Sequence, residues 1–119
     1  MGTATVPDVL DELLVAVPEF GPTFDEHVAD YGILPHVLFG DLTRFVLAAH
    51  ERRDTEVESR SLAFLDWALR EGDDDVENLV AVSFVENVDQ RQHRGFIATW
   101  PDALRAEAKR QRDWRPRGP

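Results

Sequence analysis

Apolar residues recur at three- and four-residue spacing along most of this chain, the period of helices that bury one face. Val6, Val9, Leu10, Leu13, Leu14 and Val17 share a face, while Asp8, Asp11 and Glu12 fall opposite. Thr5 is placed to cap this helix, Pro7 suits its first turn, the acids complement the macrodipole, and Pro18 ends it. A shorter second helix is predicted from about Pro22 to Tyr31, with Phe24, Val28 and Tyr31 inward and Gly32 at its C-terminal cap. The third, from Pro35 to about Arg52, carries Leu38, Leu42, Phe45, Val46 and Ala49 as its stripe. Gly40 inside it predicts a kink or a close helix crossing. Asp54 or Thr55 caps a fourth helix, striped by Val57, Leu62, Leu65, Ala68 and Leu69, widened by Phe64 and Trp67, and closed by Gly72.

The fifth segment reads VENLVAVSFVENV, with Val76, Leu79, Val80, Val82, Phe84, Val85 and Val88 on nearly every side. A helix apolar all round belongs at the centre of a domain, so residues 75–88 are expected to form a central apolar helix. The β-branched content would suit a strand, but the acids at its start and the lack of strict alternation favour helix. Residues 89–99 are polar and irregular, with Phe96 and Ile97 as a docking point. Pro101 opens a last helix, Leu104 and Ala108 inward and Arg105, Lys109, Arg110 and Arg112 outward, and the prolines of WRPRGP stop it. The expectation is all-α: a single compact bundle of five to six helices over residues 1–114, with a disordered tail at 115–119.

Composition narrows the class. With 119 residues, 43% hydrophobic and 30% charged, the chain suits one globular domain with a real core. It has no cysteine, which excludes disulfides, thiolate metal sites and cysteine nucleophiles. No apolar run approaches the ~18 residues of a membrane span. The opening MGTATVPDVL lacks the basic and apolar regions of a secretory signal, so a cytoplasmic protein without membrane association is expected. A net charge of −10 disfavours nucleic-acid binding, which needs a basic surface. Residues 1–90 hold 5 basic and 20 acidic side chains, whereas residues 91–119 hold 8 basic and 3 acidic. A basic last helix on an acidic body, an acidic surface that steers toward a basic partner protein, or a basic tail that touches RNA or anionic lipid would each account for the split.

Catalytic chemistry is sparse. The histidines, His27, His36, His50 and His93, form no i,i+4 pair, and neither HExxH nor GxSxG occurs. Asp25, Glu26 and Asp30 beside His27 read as a solvated acidic face, and His50 as a cation at a helix C-terminus. Ser83 is expected to bond the carbonyl four residues back. No enzymatic activity, metal or cofactor is therefore expected. Two polar groups stand out. Glu71, Asp73, Asp74, Asp75 and Glu77 put five acids in seven residues, more than helix capping requires, and form a candidate partner-binding patch. Glu86 and Asn87 sit in the apolar fifth helix and, with Asp41, Arg44 and Trp67, are candidates for a pocket or a buried polar cluster. Trp67 or Tyr31, where exposed, would anchor a partner.

LPHVLFGDLTRFV at Leu34–Val46, the Leu62–Leu69 stripe, DVENLVAVSFVENV and the ending WPDALRAEAKRQRDW together resemble a family of small bacterial helical proteins catalogued as a domain of unknown function. That family resembles bacterial toxin-immunity proteins in size, acidity and architecture. The resemblance spans roughly residues 6–114 and implies an interaction protein, with Asp41, Arg44, Glu86 and Asn87 among shared-looking polar positions and no active site to carry over. A monomer or homodimer that inhibits a basic partner is the expected function. The alternatives are a bundle binding a small ligand near Glu86, Asn87 and Trp67, and an accessory subunit of a larger complex.

Overall fold

Side chains, prolines and glycines set the helix boundaries. In this computed structural model, which describes residues 2–114, α1 (Val6–Ala16) starts in a capping box: Thr5 Oγ1 accepts from the Asp8 amide, and the Asp8 carboxylate accepts from the Thr5 amide at 3.0 Å. That backbone bond holds the Asp8 carboxyl below its ordinary range. A 3₁₀ turn at Pro18–Phe20 leads into α2 (Gly21–Tyr31), which ends at Gly32 with φ of 68°, a conformation glycine tolerates. Next come α3 (Pro35–Glu51) and α4 (Thr55–Glu71), the latter capped by Asp54. Asp73 caps α5 (Asp74–Val80) by accepting from the Val76 amide at 3.0 Å. The same helix runs on as a π-helical turn at Ala81–Val85. Then come α6 (Arg94–Ile97) and α7 (Asp102–Asp113).

The described residues therefore form an all-α bundle of seven helices. The helix beyond the expected five or six is the four-residue α6, within the stretch read as irregular, where Phe96 turns into the core. The expected tail at 115–119 lies outside the described residues. α5 and its π turn pack against α3, α4 and α7, which makes them the centre of the bundle. Phe20, Phe39, Phe84 and Phe96 are the largest fully buried side chains. Ala4 pairs with the α4–α5 linker as a lone parallel bridge, donating to Glu71 O at 2.9 Å and accepting from the Asp73 amide at 2.8 Å. No helix among the described residues is long and apolar enough to cross a membrane.

Three expectations are corrected. α2 turns His27 inward, not Val28 and Tyr31, which are 36% and 62% exposed. Its neighbours are the 3₁₀ turn and α3, and that packing rotates the apolar residues out. Gly40 does not mark a tight crossing, because a Cβ there would meet Arg44 Nη1 and Asn87 Nδ2 at an ordinary 3.9 Å. The central helix is not buried all round: Val82, Glu86 and Asn87 face solvent.

Candidate functional site

The π turn organises one face of the molecule. Glu86 N bonds Ala81 O, five residues back, at 3.0 Å. The Ser83 carbonyl is served by side chains: Asn87 Nδ2 donates to it at 2.7 Å, and Thr43 Oγ1 lies 2.8 Å from it and 2.7 Å from Phe39 O. The Ser83 hydroxyl does not bond back along its own helix as expected but meets His36 Nδ1 at 2.6 Å, tying the π turn to the first turn of α3. A Ser–His pair at this distance is the geometry of an activated nucleophile. Ser83 is only 4% exposed, however, so its hydroxyl has no room for a substrate, and the contact serves as a lock between helices.

Asp41 on α3 binds Arg44 and lies 3.4 Å from His27 Nδ1, while His27 Nε2 accepts from the Leu34 amide at 3.4 Å. The acceptor role of Nε2 puts the proton of the neutral ring on Nδ1, the side that faces Asp41. Arg44 and Asn87 flank Gly40. Of the candidate cluster, the structure thus brings together Asp41, Arg44 and Asn87. It does not bring Trp67 or Glu86 to them. Trp67 stacks beside Phe64 in a shallow groove with Glu12, Val15, Ala16 and Arg60. Glu86 is exposed and faces the other way, toward α6 and α7. Trp67 therefore lies between α1 and α4 and Glu86 beside α6 and α7, and neither shares a pocket with Asp41, Arg44 and Asn87.

Two buried carboxylates were missed by the sequence reading. Asp66 Oδ1 accepts from the amides of Ala103 and Leu104 at 2.9 and 3.1 Å, capping α7 from another helix, while its Oδ2 accepts from Arg70 Nε at 3.0 Å. Glu58 receives His50 Nδ1 at 2.7 Å, beneath a ring contact between His50 and Phe96. His50, in the last turn of α3 as expected, therefore also pairs with a carboxylate. The signal was available: Glu58, Leu62, Leu65 and Asp66 share helical spacing, so the two acids lie on the buried stripe of α4.

The surface divides by charge. At the α4–α5 linker Asp73 is used as the cap, whereas Asp74, Asp75 and Glu77 are exposed and make no ion pair among the described residues; Glu71 reaches Arg70 only at 4.0 Å. Elsewhere an open groove of about 1400 Å³ runs between residues 85–98 and α7, edged by Arg91, Arg94, Arg105 and Lys109 with Glu86, Asp89 and Asp102. Backbone amides of Gln92 and Arg91 lower the Asp89 carboxyl, and Lys109 with Arg112 lowers that of Asp113. Arg60 of α4 bonds both the Ala16 carbonyl, at 3.1 Å, and Glu19, which it holds down to about 2. No group of three or more His, Asp and Glu side chains among the described residues is arranged to hold a metal ion.

Residues 10–115 match the family described as a domain of unknown function, DUF7674. The chain belongs to that family. The match runs from the middle of α1 past the end of α7, so the DUF7674 domain takes in the central π turn, the acidic linker and the basic groove. No curated protein and no solved structure matches this DUF7674 chain.

Proposed function

We propose that this DUF7674 chain is a cytoplasmic, non-enzymatic interaction domain whose acidic surface captures a basic partner protein, as an immunity-type inhibitor does. One observation carries the reading. Five acids crowd the α4–α5 linker, yet the local geometry uses the side chain of Asp73 alone, leaving Asp74, Asp75 and Glu77 exposed and without ion pairs among the described residues. Their mutual repulsion opposes folding, and a cationic partner would relieve it. A protein that grips phosphates needs a basic cleft, and an acidic surface is the simplest complement to one.

The test is capture of a partner on immobilised domain from lysate of the source cells, at low and high salt, beside a charge-reversed Asp74→Lys, Asp75→Lys variant. Both positions are exposed and neither is the cap, so the fold is expected to survive. A basic protein retained by the native chain at low salt, released at high salt and lost by the variant is the expected result. Retention that ignores salt, or that survives the charge reversal, would refute this surface.

A further inference from the structure

The corner between α2 and α3 is built differently from the rest of the surface. α2 buries His27 alone, and its last turn and the following segment leave Val28, Tyr31, Ile33, Leu34 and Val37 exposed, at 36, 62, 55, 45 and 47%. Five large apolar side chains at such exposure within residues 28–37 mark a contact surface more often than a bare one. The rim is acidic. Asp25, Glu26 and Asp30 on α2 are exposed and make no ion pair among the described residues, and the nearby cation Arg44 is held by Asp41.

We propose that this corner anchors a basic amphipathic segment of a partner protein, its apolar side chains on Tyr31, Ile33 and Val37 and its Lys or Arg side chains on Asp25, Glu26 and Asp30. The inference rests on the reading of the chain as a binder of basic proteins and gives that binder an apolar anchor distinct from the α4–α5 linker. Charge selects the occupant. A second copy packed here about a two-fold axis would bring the same carboxylates together along the seam. An anionic membrane surface would be repelled by them. A partner offering apolar anchors between cations satisfies both parts of the surface, and Tyr31 is the residue type that carries such contacts.

Three synthetic helical peptides test this by amide chemical-shift mapping on the full chain. The first has a Leu face flanked by Lys and Arg, the second keeps the charges with Ser replacing Leu, and the third keeps the Leu face with Glu replacing the cations. Only the first is expected to shift the amides of residues 28–37. Tyr31→Ser with Ile33→Ser should weaken it about tenfold or more. Asp25→Lys with Asp30→Lys should weaken it and flatten its salt dependence. Far-UV circular dichroism checks that both variants keep the fold. The proposal is overturned by equal binding of the Ser peptide, by shifts centred on residues 71–77, or by no shift at about 1 mM of the first peptide. A concentration-dependent dimer that disappears in Tyr31→Ser, Ile33→Ser would also overturn it, in favour of a second copy. Failure here while Asp74→Lys, Asp75→Lys still loses its captured partner would leave the linker reading standing.

Discussion

Asp66 offers the sharpest test of how this bundle is held together. α7 begins after Pro101, which has no side-chain hydrogen-bonding group, so its second and third amides, Ala103 and Leu104, have no local cap. Asp66, reaching across from α4, accepts from both and sits largely out of solvent, its side chain 12% exposed. A lost N-cap costs about 0.5–2 kcal/mol, and hydrogen bonds to a charged acceptor run to about 1.5–3 kcal/mol. Because the same two bonds are counted in both figures, Asp66→Ala should cost about 2–3 kcal/mol. Asp66→Asn keeps one acceptor oxygen but loses the charge and the bond from Arg70, so about 1 kcal/mol is expected. With roughly 4 °C per kcal/mol for a domain of this size, the melting temperature should fall by about 10 °C for Ala and by less than half that for Asn. Thermal and urea unfolding give the ranking, and hydrogen exchange localises it, with the Ala103 and Leu104 amides losing protection before the core of α4. A loss below about 0.5 kcal/mol for Asp66→Ala would refute the capping role. Equal losses for Asn and Ala would show that charge, not an oxygen in the right place, does the capping.

Three further substitutions probe an ion pair and two glycines. Arg60 holds the Glu19 carboxyl at about 2, below its ordinary 4.5, so the stabilisation is fully present above about pH 4.5 and is lost as pH falls toward 2. Glu19→Gln should accordingly lower the melting temperature at pH 7 and have a much smaller effect near pH 2, and a carboxyl titration midpoint of Glu19 near 4.5 would contradict the bond. Gly40→Ala should stabilise the domain by about 0.5–1 kcal/mol, since a methyl there makes ordinary contacts at 3.9 Å in mid-helix. Gly72→Ala should destabilise it, because a Cβ there would overlap the Val76 side chain and lie 2.5 Å from the Ala68 carbonyl oxygen; urea unfolding of the pair should move in opposite directions.

The helices themselves were legible because their signals are local. Thr5, Asp54 and Asp73 cap where their sequence positions indicate, and the stripes of α1, α3 and α4 bury the residues that their spacing puts on one side. What escaped depends on contacts between distant segments. Ser83 and His36 are 47 residues apart, and Asp66 finds its amides at 103 and 104. Nothing within a helical window reports such a partner. α2 shows the same limit from the other side: over 11 residues with only Phe24, Val28 and Tyr31 as large apolar groups, periodicity cannot choose between a face led by Val28 and one led by His27. The choice falls to the Leu34 amide and Asp41, which accommodate an imidazole and leave Tyr31 outside.

That choice bears on function. A bundle optimised for stability alone would turn the more apolar side of α2 inward, since burying each such side chain is worth about 1.5–3 kcal/mol. This one instead buries a histidine whose Nδ1 has no aligned partner and exposes Tyr31, Ile33 and Val37. Departures of this kind from local consistency concentrate where a surface is kept for something other than folding. The π turn points the same way. Its Ser83 carbonyl lies within hydrogen-bond reach of Thr43 Oγ1 and Asn87 Nδ2, and its Ser83 hydroxyl bonds His36, so side chains tie the π turn to the start of α3, next to the exposed Val37. An exposed apolar surface on a helix that also carries carboxylates unpaired among the described residues is the combination that the proposed contact with a basic amphipathic segment calls for.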